Sequence, residues 1–186
     1  MKRLFDLAGA SAGLLVFAPV MAVIAAAVFL DDGGSVLFRQ FRLGRARRPF
    51  TILKFRSMRD GRVTRVGRML RATGLDEIPQ FINILRGDMS AVGPRPLTED
   101  DVQRLGWTSP AYDFRWQARP GLTGLAQIVG AKSADEALEL DRTYVARWRP
   151  LLDCRLIGLS FVVNALGKVR VQQLLRRSAL AVRRDP

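Results

Sequence analysis

Hydrophobic and polar positions divide the chain into one unbroken apolar stretch and a body of short alternating and helical patterns. No residue from 7 to 30 is charged, and Asp6 and Asp31 bound the stretch on either side. A bilayer core takes about 20 apolar residues in helical form, so this stretch is long enough to cross one. Three arrangements fit it. One is a signal peptide, with Met1-Lys2-Arg3 as the basic start and Ala25-Ala26-Ala27 as the small-residue site. The second is a simple spanning helix. The third is a membrane-inserted helix that bends and returns, which Pro19 favours, because a proline there removes the bond to the Leu15 carbonyl and kinks the helix. Lys2 and Arg3 precede the stretch, while Arg39, Arg42, Arg45, Arg47 and Arg48 follow it. Positive charge on both sides gives no inside–outside asymmetry, and a hairpin with both ends on the cytoplasmic face satisfies both flanks.

Asp31-Asp32-Gly33-Gly34 then reads as a turn. Residues 36–40 and 50–55 read as two short strands joined by a hairpin loop over 44–49. Arg59, Arg62, Arg65, Arg68 and Arg71 fall three apart, and each such step drifts by about 60° on a 3.6-residue helix. The set therefore does not hold one helical face, and it reads as a solvated or lipid-facing basic surface. Ile78, Phe81, Ile82 and Leu85 lie at i, i+3, i+4 and i+7, which predicts a short helix facing a core. Its start falls near Leu75 or Asp76, with Pro79 in the first turn and Gly87 as the stop. Residues 93–96 and 119–124 read as Pro/Gly-punctuated loops, and residues 134–148 as helix. Residues 154–184 contain no acidic side chain, and Leu156, Leu159, Val163 and Leu166 recur at helical spacing. That predicts one or two amphipathic basic helices, a type that lies in anionic membrane interfaces or binds nucleic acid.

Composition narrows the chemistry. The 186 residues include 30 Lys and Arg against 17 Asp and Glu, a net charge of +13, with no histidine and one cysteine. An intrachain disulfide framework is excluded, as are the usual Cys/His zinc sites and any hydrolase with a histidine base. Acid–base or nucleophilic chemistry is left to carboxylates, Lys, Tyr, Ser or a bound Mg²⁺. In residues 1–31 Lys2 and Arg3 balance Asp6 and Asp31, so the excess charge belongs to the rest of the chain. Such a body seeks polyanions: nucleic acid, anionic lipid or a phosphorylated substrate.

Asp76-Glu77 is the sharpest local feature. Two adjacent carboxylates follow five arginines at the expected start of a helix, where the macrodipole and basic surroundings favour ionisation. Such a group caps a helix, binds Mg²⁺ or attacks phosphorus. Thr73 is a second capping candidate, which makes Asp76 less necessary for that role. Arg95 stands between Pro94 and Pro96, whose fixed φ angles stiffen the backbone. An arginine so held suits bidentate phosphate recognition, and a structural turn with an exposed arginine is the other reading.

The ordered motifs carry a resemblance. They are Lys2-Arg3-Leu4-Phe5-Asp6, Phe38-Arg39-Gln40, Lys54-Phe55-Arg56-Ser57-Met58, Thr64-Arg65-Val66-Gly67-Arg68, Leu75-Asp76-Glu77-Ile78-Pro79-Gln80, Gly87-Asp88-Met89-Ser90, Val92-Gly93-Pro94-Arg95-Pro96, Arg119-Pro120-Gly121-Leu122-Thr123-Gly124, Leu140-Asp141 and Tyr144-Val145. Over roughly residues 2–158 the chain resembles the bacterial sugar transferases, the small monotopic phosphoglycosyl transferases that act on polyprenyl phosphate. The resemblance implies transfer of a sugar-1-phosphate from a UDP-sugar to undecaprenyl phosphate, with release of UMP, as the first membrane step of surface-glycan assembly. It implies an Asp-Glu dyad, Mg²⁺ and a covalent aspartyl-phosphosugar intermediate. Asp76 is then the nucleophile, close to the metal, and Glu77 assists. Arg71, Lys54, Arg56 and the Pro94-Arg95-Pro96 loop fall to the substrate. The implied anchor is a re-entrant helix broken at Ala18 and Pro19, where Ser-Pro is usual, with both ends cytoplasmic.

The expected fold is helix-rich α+β, with a small β-hairpin and amphipathic interfacial helices. Residues 1–31 form the membrane-inserted helix, 32–168 the catalytic unit and 169–186 a basic amphipathic tail. The chain resembles the minimal form, without a multi-span N-terminal domain. The expected location is the bacterial inner membrane with the catalytic unit on the cytoplasmic face. Expected partners are the UDP-sugar, undecaprenyl phosphate and membrane lipid, with homo-oligomers or downstream glycosyltransferases as further candidates and no nucleic acid. The competing class is a non-enzymatic, membrane-tethered binder of anionic lipid or nucleic acid. It rests on the charge and the basic tail, and it needs neither Asp76 nor Glu77.

Overall fold

The computed structural model describes residues 1–166 and Gln172. The chain begins with one long helix, α1 (Lys2–Asp32), which runs continuously through Pro19, without the break expected at Ala18 and Pro19. Gly33 ends it in the left-handed conformation (φ 70°) and donates to the Phe29 carbonyl at 2.7 Å. That is the turn read from Asp31-Asp32-Gly33-Gly34. The hairpin follows as expected but with longer strands, β1 (Leu37–Leu43) and β2 (Pro49–Phe55), antiparallel with Leu37 opposite Phe55. A two-residue-stranded ribbon, β3 (Met58–Arg59) and β4 (Arg62–Val63), leads into α2 (Arg65–Thr73). Arg59 and Arg62 thus stand on the ribbon and Arg65, Arg68 and Arg71 on α2, all five exposed.

Inside the uniform apolar stretch lies a packing stripe. Asp6, Ala10, Ile24 and Val28 are buried, and Gly13, Phe17 and Met21 fall between them at steps of three and four. That is the spacing of one helical face. The stripe lies on α3 (Gln80–Arg86) and on the hairpin. The Phe17 and Phe81 rings stack with centroids 6.3 Å apart. A side chain at Gly13 would meet the Phe81 ring at 2.9 Å, so a residue without Cβ is what lets the two helices approach. Leu15, Val16, Val23 and Leu30 point away from the body and are largely exposed. Among the described residues α1 is the one helix long and apolar enough to cross a membrane.

Both ends of α1 are tied to the same body. Lys2 Nζ donates to Asp153 Oδ2 at 2.5 Å, to the Val92 carbonyl at 3.1 Å and to the Tyr144 hydroxyl at 3.0 Å. Arg3 reaches the carbonyls of Ile84 and Leu85, and Asp6 accepts from Ser90 Oγ and the Ala91 amide, both at 2.9 Å. At the other end Asp31 accepts from the Val66 amide at 3.2 Å. These polar anchors tie α1 to the rest of the fold.

Two expectations are corrected in the middle of the chain. The helix predicted to start near Leu75 or Asp76 begins at Gln80, because Leu75–Glu77 forms a separate 3₁₀ turn and Pro79 is the N-cap. Its most buried side chains are Gln80, Asn83 and Ile84, while Phe81, Ile82 and Leu85 are half-buried. Asn83 explains the rotation: its amide accepts from the Leu53 N–H at 3.0 Å and donates to the Thr51 carbonyl at 2.7 Å, which turns that face onto β2. Gly87 stops the helix at φ 92°, as the sequence predicted.

The second correction concerns residues 119–124, read as a loop. Gly121–Thr123 is a strand, β6, parallel to β5 (Ser90–Val92), with Ser90 opposite Gly121 and Val92 opposite Thr123. Any Cβ on Gly93 or Gly121 would run into the facing backbone, so the glycines that looked like loop punctuation permit a close backbone approach. Between these strands lie α4 (Glu99–Arg104) and a 3₁₀ stretch (Pro110–Gln117). After β6 come α5 (Leu125–Val129), α6 (Ala134–Ala146) and α7 (Pro150–Leu166). Leu156 and Val163 of α7 are buried against Val92, Ile128 and Tyr144, whereas Leu166 is exposed. The basic tail expected over 169–186 lies outside the described residues apart from Gln172. The observed architecture is therefore helix-rich α+β, with three two-stranded sheets among the described residues.

Candidate active site

Gly74 is where the site begins. It ends α2 in the left-handed conformation (φ 75°), and the chain reverses into the 3₁₀ turn that carries Asp76 and Glu77. Neither carboxylate caps a helix: the N-cap of α3 is Pro79 and has no side-chain bond. Thr73 is not a cap either, since its hydroxyl bonds back to the Met69 and Leu70 carbonyls. The capping alternative for the dyad therefore has no bond to support it. Asp76 is buried at 9% exposure, and Glu77 is held by Lys54, whose Nζ lies 2.6 Å from Glu77 Oε1.

Burial raises the Asp76 carboxyl above the usual carboxylate range, and the neighbouring Glu77 charge raises it further. Lys54, a backbone hydrogen bond and Arg71 pull the other way without reversing the direction. The sequence expectation that the surroundings favour the ionised form meets the opposing effect of burial and of Glu77 here, and a positive charge arriving at the dyad would act in the direction of Lys54 and Arg71.

A cavity of about 1130 Å³ opens over the dyad. Its polar wall carries Asp76, Glu77, Lys54, Arg71 and Arg95. Its apolar wall is built from α1 and α7, with Phe5, Gly9, Gly13 and Phe17 facing Ile157 and Phe161. Five of the eight residues expected to act on substrate or phosphorus therefore meet at one place. Pro94 and Pro96 do not line the cavity; both are buried beside the exposed Arg95 that does. Arg56 is elsewhere, its guanidinium packed on Gly34 in the turn after α1, and its amide donates to the Val36 carbonyl at 2.9 Å. Ala18 and Pro19 lie in the exposed middle of α1.

The structure adds residues that the pattern did not single out. Asp141, present in the sequence only as part of an unassigned Leu140-Asp141 pair, lines the cavity together with Arg115 and Trp107. Arg115 has no sequence signal, because its partner is 26 residues away and the pairing exists only in three dimensions.

Among the described residues no cluster of three or more His, Cys, Asp or Glu side chains is placed to hold a metal. Two adjacent carboxylates remain, Asp76 and Glu77. That set is too small for a closed protein cage, yet it suits Mg²⁺, which usually takes one or two carboxylates and completes its shell with water and substrate phosphate. The donor chemistry therefore fits the ion in the presence of a phosphorylated ligand.

The chain is similar to several known proteins. The UDP-glucose:undecaprenyl-phosphate glucose-1-phosphate transferase of Caulobacter vibrioides is 45% identical over 159 residues, which cover 78% of this chain and 60% of that protein. The uncharacterized sugar transferase EpsL of Bacillus subtilis is 38% identical, covering 93% of this chain and 91% of its own length. The exopolysaccharide production protein ExoY of Rhizobium meliloti is 38% identical, with 82% and 80% covered. The chain spans 60% of the Caulobacter relative but only about two fifths of the Klebsiella pneumoniae and Escherichia coli ones. Residues 1–166, which hold α1, the dyad turn and every wall of the cavity described above, match the bacterial sugar transferase family, and the chain belongs to it.

Proposed function

We propose that the protein transfers a sugar-1-phosphate from a UDP-sugar to undecaprenyl phosphate, releasing UMP, and so initiates assembly of a surface glycan. The observation that carries this reading is the convergence of Asp76, Glu77, Lys54, Arg71 and Arg95 on a cavity that continues between the apolar faces of α1 and α7. A nucleotide diphosphate needs cations and a polyprenyl phosphate needs an apolar approach; this cavity offers both. Relatives are named for transfer of glucose-1-phosphate in Caulobacter and for N-acetylgalactosamine phosphate in Aeromonas hydrophila, so the sugar differs within the family.

In the proposed reaction an Asp76 carboxylate oxygen attacks the β-phosphorus of the UDP-sugar. The bond to the bridging oxygen breaks and UMP leaves with that oxygen. A phosphate oxygen of undecaprenyl phosphate then attacks the same phosphorus, and the Asp76 carboxylate is released. Two displacements at one carboxylate predict ping-pong kinetics. Arg71 and Arg95 neutralise phosphate charge, which is most of what phosphoryl transfer asks of a protein. Lys54 holds Glu77 beside the nucleophile. Asp76, with Glu77 close by, would hold Mg²⁺, which would supply charge neutralisation for the dyad and the diphosphate.

Residues 1–31 are the membrane element in this reading, 32–168 the catalytic unit and 169–186 an interfacial tail, with the body on the cytoplasmic face of the inner membrane. A re-entrant course for α1 is supported by its two ends, which bond to the same body through Lys2 and Asp31. The test is UMP release from a panel of UDP-sugars by protein in nanodiscs with Mg²⁺ and undecaprenyl phosphate. Continued turnover, beyond about one UMP per site, that requires the lipid acceptor and is abolished in Asp76→Asn, with folding and insertion intact, supports the assignment. Full release by Asp76→Asn contradicts it.

A further inference from the structure

Four consecutive backbone carbonyls fix the Pro94-Arg95-Pro96 loop. Pro94 accepts from the Gly121 amide at 2.9 Å and Leu97 accepts from the Leu43 amide at 2.8 Å. Between them two arginine side chains do the same work. Arg115 Nη2 donates to the Arg95 carbonyl at 2.5 Å, and Arg42 Nη1 donates to the Pro96 carbonyl at 3.3 Å. Pro94 and Pro96 have no N–H, so over these residues the carbonyls are the main handles on the backbone.

Arg115 is built for this task to an unusual degree. It is 4% exposed, and its Nε donates to Asp141 Oδ2 at 2.8 Å, a partner also 4% exposed. Its guanidinium carbon lies 5.5 Å from the centre of the Trp107 ring and 5.2 Å from that of Trp116. Burial opposes charge on both Arg115 and Asp141, and their mutual attraction offsets part of that cost. A buried ion pair is a poor source of stability compared with apolar side chains of similar volume. It is a good way to fix geometry, because the planar fork holds two acceptors at set directions. Here one acceptor is Asp141 and the other is the carbonyl of the residue whose own side chain reaches the cavity.

We infer that Arg115 and Asp141 are positioning residues for Arg95: the pair sets the backbone from which the Arg95 guanidinium meets the diphosphate of the nucleotide-sugar. This rests on the function proposed above. Losing it moves a phosphate-binding group by a fraction of an ångström to about an ångström, a displacement of the size that costs up to about a hundredfold in rate.

The experiment is a double-mutant cycle on the full chain in nanodiscs. Arg115→Lys keeps the charge beside Asp141 but loses the fork. The paired change Arg115→Gln with Asp141→Asn removes both charges together, so no buried ion is left unpaired. Each is made with and without Arg95→Ala, thermal unfolding confirms the folded state, and UDP binding is measured alongside UMP release. The expected result is a fall of roughly ten- to a hundredfold in kcat/KM for the UDP-sugar, with weaker UDP binding and KM for undecaprenyl phosphate unchanged. In the Arg95→Ala background the same changes cost nothing more. Equal losses in both backgrounds, with wild-type turnover intact, overturn the positioning role and leave the proposed reaction standing. A folded wild type that neither binds UDP nor releases UMP overturns the reaction and this inference with it.

Discussion

Asn83 shows how much one side chain settles. Its amide takes the Leu53 N–H and gives to the Thr51 carbonyl, so α3, which follows the dyad turn, is fixed to the hairpin that supplies Lys54. Asn83→Ala leaves buried backbone groups of β2 without partners. It should lower unfolding stability by about 1–3 kcal/mol, read from denaturant midpoints at constant slope. An unchanged midpoint would mean that water replaces the amide. The sequence placed Asp76, Glu77, Arg71, Lys54 and Arg95 as candidates, and all five line one cavity. Lys54 was expected at the substrate, and here its ammonium is engaged by Glu77. Arg115, Asn83 and Asp153 escaped notice because the partners that matter here, the Arg95 carbonyl, the Leu53 N–H and the Lys2 ammonium, lie 20, 30 and 151 residues away, and no short-range pattern encodes such a pairing.

Elements were legible in proportion to how local their causes are. The hairpin was plain because alternation and turn chemistry lie within about twenty residues, and Gly33 and Gly87 stop their helices as glycine in the left-handed region should. The parallel pairing of β5 with β6 was not, since two three-residue strands some thirty residues apart carry no periodicity. Uniform hydrophobicity hid the packing stripe of α1. Gly13 lies in that stripe, and Gly13→Val should displace the Phe81 ring and cost about 1–3 kcal/mol, as overpacking does. The same change at Gly9, where an added Cβ meets no neighbouring element within 4 Å, should cost far less in the same unfolding assay.

The start of α4 gives a pH prediction. Thr98 and Asp101 form a reciprocal capping box. Burial alone would raise the Asp101 carboxyl, but its bonds from Thr98 and the charges of Arg42 and Arg104 outweigh that and hold it below its ordinary value. A depressed folded-state pKa gives stability that is present above the unfolded value of about 3.9 and lost as pH falls through the folded one. Asp101→Asn should therefore be less stable than wild type near neutrality, and the gap should close below about pH 4. A gap independent of pH would assign the effect to shape rather than charge.

At the scale of the whole molecule, a body with an excess of positive charge sits beneath a helix with an exposed apolar face. Arg62, Arg65 and Arg68 are exposed on the ribbon and α2, close to where α1 ends. Replacing the three by glutamine should weaken binding to phosphatidylserine vesicles by about 1 kcal/mol each. The difference should fade as salt shortens the screening length. Binding that ignores both salt and these residues would place the membrane contact entirely in α1.

The central claim is that Asp76 carries the sugar phosphate between donor and acceptor, and trapping that species tests it most directly. Protein in nanodiscs is incubated with Mg²⁺ and its UDP-sugar in the absence of undecaprenyl phosphate, quenched, digested and weighed by mass spectrometry. The account predicts UMP released in about one equivalent per active site. It also predicts a sugar-phosphate mass on the peptide containing Asp76, absent from Asp76→Asn. UMP release that occurs only when the lipid acceptor is present, with no mass added to that peptide, would contradict it and point to direct transfer between the two substrates.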